Sequence, residues 1–209
     1  MAAKKNFYAV AVGREPGIYT NWPDCQKQVT GFKGALFQGF ETRTEAEHFM
    51  AGLSDSKTEE PKDPIASTLE DSTLALAYVD GSFNAATSQC GYGVVFFYQG
   101  EESHYYGDCS APDLVSMRNV TGEIFASMKA MELARKANAN RLIIFHDYEG
   151  IAKWPLGLWK ANKEGTKQYV SFYEDLKDQI QIEFFKVDAH TGVTYNEIAD
   201  SLAKKGAGQ

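Results

Sequence analysis

The sequence predicts an α/β fold: a mixed five-stranded sheet with helices packed on its faces, preceded by a small α+β module. Three observations lead there. After residue 73 the apolar patterning reads as three consecutive strands and then alternating helices and strands, an order that puts antiparallel and parallel pairs into one sheet. Residues 1–53 carry a shorter strand and helix pattern of their own. Between the two, residues 54–73 are rich in Ser, Thr, Pro and acids and poor in apolar residues, which reads as a flexible, self-repelling linker.

In the first module, Phe7–Val12 predicts a strand, Gly13–Gly17 a turn, and Ile18–Thr20 a second strand. A helix follows over Trp22–Val29, since Asn21 can cap it and Pro23 suits its first turn. Ala35–Phe40 predicts a third strand, and Thr42 caps a closing helix carrying Ala46, Phe49, Met50 and Leu53. After the linker the strands are 74–80, 92–98 and about 103–108, then a helix over 119–137 and a strand over 141–146. One or two helices fall within 148–178, followed by a strand over 180–187 and a helix over 195–204. Val120, Ile124, Met128 and Met131 make the apolar stripe of the long helix, and Tyr195, Ile198, Ala199 and Leu202 that of the last.

Composition narrows the function classes. No apolar run approaches the ~20 residues that span a bilayer, and Met1 to Phe7 lacks a signal-peptide core, so a cytoplasmic protein with no membrane partner is expected. The cysteines Cys25, Cys90 and Cys109 have no metal-type spacing and read as reduced thiols. The net charge of −7 is uneven: six basic residues face five acids over 1–53, two face six over 54–73, and thirteen face seventeen over 74–209. A site that holds divalent cations is itself acidic, so the sign of the net charge does not exclude a nucleic-acid partner.

Four carboxylates stand out of their local pattern. Asp80 closes the apolar run Leu74–Val79, and Asp147 follows Leu142–Phe145 after one residue, so both fall at strand ends. Glu123 and Asp200 lie inside two separate helices, and Asp200 shares with Asn196 a face different from the apolar stripe. Any one of them alone is more often a cap, a turn former or a solvated residue. Brought together they would repel without a cation; Mg²⁺ accepts a few carboxylates plus a substrate phosphate, and two such ions suit phosphodiester cleavage.

The flanking strings add specificity. Tyr78-Val79-Asp80-Gly81-Ser82, Arg118-Asn119-Val120-Thr121-Gly122-Glu123, His146-Asp147, Ala189-His190-Thr191-Gly192 and Asn196-Glu197-Ile198-Ala199-Asp200-Ser201-Leu202-Ala203 occur in this order. Together they resemble the ribonuclease H family, over essentially all of 74–209. Residues 1–53 resemble the hybrid-binding domain that precedes many type 1 members, through Phe7-Tyr8-Ala9-Val10, Gly13-Arg14, Gly17-Ile18-Tyr19, Trp22 and Ala35–Phe40.

The resemblance implies a ribonuclease H-like sheet and an endonuclease that cuts the RNA strand of RNA–DNA hybrids, leaving 5′-phosphate and 3′-hydroxyl ends. It implies two Mg²⁺ ions, with Mn²⁺ as a substitute, held by Asp80 as the bridge and by Glu123, Asp147 and Asp200. His190 matches the family's loop histidine, associated with proton transfer or product release. Asn84 and Asn119 match minor-groove contact positions, and Tyr8, Trp22 and Phe37 match the ring-bearing contacts of the first module, which would also bind double-stranded RNA weakly. Glu123 can in addition accept from the 2′-hydroxyl.

Two departures from the family pattern stand out. Gln38 and Gly39 stand where relatives often carry lysines, and Trp154 to Tyr169 is short and mildly basic where some relatives insert a long basic helix and loop. Fewer phosphate contacts imply weaker binding with a shallower salt dependence. Residues 1–53 then carry much of the affinity of what is expected to be a monomer. The rival readings are a catalytically silent hybrid-binding protein, disfavoured by the presence of all four acids, and an integrase- or resolvase-like nuclease, disfavoured by the first module and the His190 loop.

Overall fold

The computed structural model describes residues 5–52, 61–109, 117–187 and 194–209, and the chain divides into two compact units at Glu59/Glu60. In the first, β1 (Phe7–Val12) is the centre of a three-stranded antiparallel sheet, flanked by β2 (Gly17–Tyr19) and β3 (Leu36–Phe40). Helix α1 (Trp22–Val29) starts as expected: the Asn21 side chain accepts from the Asp24 amide at 3.0 Å, with Pro23 in the first turn. It buries Cys25 and Val29 against Val10. Helix α2 (Arg43–Gly52) opens on a capping box between Thr42 and Glu45, and its Phe49 ring packs 5.3 Å from Phe40.

The span read as a flexible linker holds a helix, α3 (Pro64–Glu70), within the second unit. Asp63 caps it through the Ala66 amide at 3.0 Å, and Pro64 occupies the first turn where its missing N–H costs nothing. Its Ile65 packs on the core, and buried Thr68 accepts from the Gly100 amide at 3.1 Å. The linker reading over 54–73 is therefore corrected from Asp63 onward; residues 53–60 lie outside the described residues.

The second unit is built on β4 (Leu74–Asn84), β5 (Gln89–Tyr98), β6 (Glu101–Asp108), β7 (Arg141–His146) and β8 (Gln181–Lys186), in the order β6-β5-β4-β7-β8. The hairpins β4–β5–β6 are antiparallel, and β4–β7–β8 are parallel, as the mixed sheet requires. Helices α4 (Asn119–Lys136) and α7 (Thr194–Gly206) pack on opposite faces of β4 and β5, with α5 (Gly150–Lys153) and α6 (Glu164–Glu174) beside α4. The α7 side is filled by Leu76, Tyr78, Phe97 and Phe145 around Ala199, with the Tyr78 and Phe145 rings stacked at 4.5 Å.

Strands β4 and β5 run farther than the apolar pattern predicts, to Asn84 and from Gln89. The ladder continues through Gly81↔Tyr92, Ser82↔Gly91 and Asn84↔Gln89, so backbone pairing sustains the hairpin where side chains carry no apolar signal.

Candidate active site

Asp80 lies within β4 rather than at its end. Parallel pairing of β7 with β4 stops at Tyr78↔Phe145, while β4 continues against β5. Beyond that point one edge of β4 has no β7 partner, and Asp80 and Asp147 stand at this notch past the carboxyl end of β7. It is the position where open α/β sheets bind ligands.

Two backbone approaches bring in the helices. A Cβ on Gly81 would fall 2.3 Å from both the Asn119 carbonyl oxygen and the Glu123 amide nitrogen, so the first turn of α4 rests directly on β4 and delivers Glu123 beside Asp80. On the other face, a Cβ on Gly93 would fall 2.1 Å from the Ala199 carbonyl oxygen, which seats α7 with Asp200 next in sequence.

The geometry gathers oxygen atoms of Asp80, Glu123 and Asp147 within 4.8 Å of one another. Burial, then the charges of Asp147 and Asp200, push Asp80 up to about 6 even though Glu123 hydrogen-bonds to it. Glu123 is held well above the ordinary carboxylate range by burial first, then by the charges of Asp80 and Asp147. The Asp80 and Glu123 carboxyls therefore both hold protons more tightly than free carboxyls do.

Asp200 stands off from this trio: Lys204, one turn later on α7, donates to its Oδ2 at 2.7 Å. His146, beside the cluster in sequence, is a core residue. Burial lowers it to about 4, and its neutral ring bonds the Tyr148 carbonyl oxygen at 3.0 Å.

The site fits a hard divalent cation. Its donors are all carboxylate oxygens, and Glu123 Oε2 is buried without a hydrogen-bond partner, a costly arrangement that a cation would relieve. Because Asp80 and Glu123 must both be ionised to bind metal, Mg²⁺ affinity should rise with pH from about 6 upward. Calorimetric titration should find binding roughly tenfold or more tighter at about pH 7.5 than at about pH 5.5, with proton release on binding. Equal affinities would contradict the coupling.

The remaining expected residues divide. Asn119 is exposed at the start of α4, on the lining of a cleft of about 410 Å³ with Arg118, Tyr148, Trp154, Lys160 and Lys163. Asn84 is not at the cluster. Four residues along the strand from Asp80, its side chain accepts from the Ala86 amide at 3.1 Å and donates toward the Ala207 and Gly208 carbonyls at 3.3 and 3.4 Å. These bonds give it a structural role, closing the hairpin turn and fastening Ala207 and Gly208. His190 lies outside the described residues.

In the first unit the three expected rings do come together. Trp22 lies 5.6 Å from Tyr8 and 5.8 Å from Phe37, and Trp22 and Phe37 keep 40% and 38% of their surface in solvent. Gly39 lies beside them: a Cβ on it would stand 3.2 Å from the Tyr8 ring, a tight contact.

Sequence reasoning missed Lys204 and the cleft. The Asp200–Lys204 spacing of four was a readable signal. The cleft, whose Tyr148 and Trp154 rings pack with Trp159 behind them, had only the spacing of the two tryptophans to announce it.

Comparison with known proteins agrees with this architecture. The solved RNase H1 of the halophilic archaeon Halobacterium salinarum NRC-1 superposes with a TM-score of 0.53 at 20% identity, over 64% of this chain and 96% of that one. The sheet order and flanking helices thus define the ribonuclease H-like fold class. Residues 72–208 match the family model described as RNase H, and residues 6–50 the one described as Ribonuclease H1 N-terminal domain. The chain belongs to the ribonuclease H family, with the two-part layout of a type 1 member preceded by a hybrid-binding domain. Ribonuclease H1 of Rattus norvegicus is 28% identical over 97% of this chain and 90% of its own length. Ribonuclease HI of Pseudomonas aeruginosa is 30% identical over 68% of this chain and 98% of its own.

Proposed function

We propose that this chain is an endoribonuclease that hydrolyses the RNA strand of RNA–DNA hybrids, leaving 5′-phosphate and 3′-hydroxyl ends. The observation that carries the reading is the convergence of Asp80, Glu123 and Asp147 at the β4–β7 notch, in a chain of the ribonuclease H family. Asp80, Glu123, Asp147 and Asp200 would hold two Mg²⁺ ions, with Mn²⁺ as a substitute. The ions supply charge stabilisation at the entering and leaving oxygens of an in-line displacement.

The chain's own groups do the rest. Asp200 has to exchange its Lys204 partner to join the other acids, which frees the ammonium for a phosphate oxygen. Asn119 offers its amide to the minor groove, where a 2′-hydroxyl can donate and accept. Arg118, Lys160 and Lys163 place cations on the cleft for a strand backbone. His190, which lies outside the described residues, would serve proton transfer or product release. The reading also makes the enzyme a cytoplasmic monomer, in keeping with three cysteines that stand as thiols.

The deciding experiment is a Mg²⁺-dependent assay on matched RNA–DNA, RNA–RNA and DNA–DNA duplexes. Cleavage confined to the RNA of the hybrid, and lost in Asp147→Asn, is expected. Cleavage that survives this substitution sinks the mechanism.

Affinity is the business of the first unit, whose exposed Trp22 and Phe37 can stack on sugars or bases. Because α3 packs on the second unit, a catalytic fragment should begin at residue 61 rather than 74. That fragment should cleave at saturation but need roughly tenfold or more hybrid to reach it. Equal KM values for fragment and full chain would remove the first unit from substrate capture.

A further inference from the structure

Cys90 is the second residue of β5 and Cys109 follows β6, and the register Gly91↔Asp108 sets the two cysteines opposite each other. The Cys109 amide donates to the Cys90 carbonyl at 2.8 Å, and the Cys109 thiol to Cys90 Sγ at 2.9 Å. Facing hydrogen-bonded residues of an antiparallel pair lie about 5.5 Å apart at Cα, within the span of a disulfide.

The pair is also wired to the catalytic helix. Cys90 Sγ donates to the Arg118 carbonyl at 3.3 Å, an oxygen that accepts from the Thr121 amide at 3.0 Å as well. Arg118 caps α4 at φ +53°, a backbone conformation that non-glycine residues hold only under restraint. The turn restrained in this way carries Asn119 and leads into Glu123.

We propose that Cys90 and Cys109 are a redox pair, closed to a disulfide by a hydroperoxide, and that closure slows cleavage by disturbing the first turn of α4. The Cys109 hydrogen bond, then the Gly122 amide, lower the Cys90 thiol against the effect of burial, whereas the Cys109 thiol is pushed up as the donor and by burial. Cys90 is accordingly the attacking sulfur.

Its thiolate attacks the O–O bond of hydrogen peroxide, forming sulfenic acid and releasing hydroxide, which takes up the thiol proton as water. Cys109 sulfur then displaces the sulfenic hydroxyl, which leaves with the second thiol proton as another water. Two electrons from the two sulfurs reduce one peroxide. Both thiols are buried, which selects an oxidant the size of water. Once closed, the pair has no S–H for the Arg118 carbonyl.

The inference rests on the nuclease reading only for its rate measurement. Full-length protein is treated with hydrogen peroxide, alkylated under denaturing conditions and weighed; the reduced chain takes three alkyl groups and the oxidised chain one, on Cys25. The expected result is a Cys90–Cys109 linkage and a several-fold fall in hybrid cleavage, both reversed by dithiothreitol. Mg²⁺ affinity by calorimetry should fall with it and reads the same disturbance at Glu123 without cleavage. Cys109→Ala, with Cys90→Ala as a second variant, should lose the reversible response. Three alkylatable thiols after oxidation, or a linkage that changes neither rate nor Mg²⁺ affinity, would overturn the proposal.

Discussion

Replacing Asp80 by asparagine should lower cleavage on the order of a thousandfold or more while leaving the metal-free protein more stable, not less. The amide keeps an oxygen for the Gly81 amide, which Asp80 Oδ1 holds at 2.7 Å, and for the Glu123 carboxyl. What disappears is a charge the fold disfavours. Asp80 is pushed up to about 6 by burial and by Asp147 and Asp200. An acid raised in the folded state binds its proton more tightly there than in the unfolded chain. Its destabilisation is therefore absent where both states are protonated, grows as pH rises through about 6, and is complete above. Thermal unfolding in chelator should show Asp80→Asn melting about 5 °C above wild type near pH 8, with a smaller gap near pH 5. A lower melting temperature at the higher pH would mean that Asp80 is not held against electrostatic cost.

Gly81→Ala should be among the most damaging single substitutions outside the acids. Its Cβ would meet the Asn119 oxygen and the Glu123 nitrogen at 2.3 Å and the Gly122 carbonyl carbon at 2.7 Å. All three are backbone atoms of one helical turn, so no side-chain rotation relieves the overlap and α4 must lift away. A loss of about 3 kcal/mol or more is expected by denaturant unfolding. A displacement near 1 Å at Glu123 should in addition cost roughly a hundredfold in rate. Gly17→Ala is the matched control, because the nearest atom to its Cβ is a Tyr19 ring carbon at 4.0 Å. Near-equal stability and rate for the two variants would show that the close approach does not fix the catalytic helix.

Much of this architecture was legible because its signals are local. Leu74–Val79 and Leu142–Phe145 announce buried strands, and the acid after each is conspicuous against that run. Asn21, Pro23 and Thr42 announce helix starts that the structure reproduces almost to the residue. Helix α3 escaped because its composition is that of a linker, while its docking rests on Ile65 and Thr68, two residues whose partners are distant in sequence. The extension of β4 to Asn84 escaped because a ladder of backbone bonds needs no apolar alternation. The partnership of Cys90 with Cys109 escaped for a third reason: it exists only once the β5–β6 register is set. The bonds of Asn84 escaped as well: its motif position announces a substrate contact, whereas its amide in the structure serves the hairpin and the Ala207 and Gly208 carbonyls, partners far off in sequence.

The Asp200–Lys204 pair has a consequence for how the enzyme meets its metal. With an ammonium on one acid and two others that hold protons more tightly than free carboxyls do, the metal-free site carries internal placeholders for the missing positive charge. A site compensated in this way should let the chain fold without a cation, and loading would be an exchange of one set of counter-ions for another. Such an enzyme would ride through swings in metal supply as an intact, idle scaffold, emptied by chelation without unfolding and returned to work by dilution into Mg²⁺.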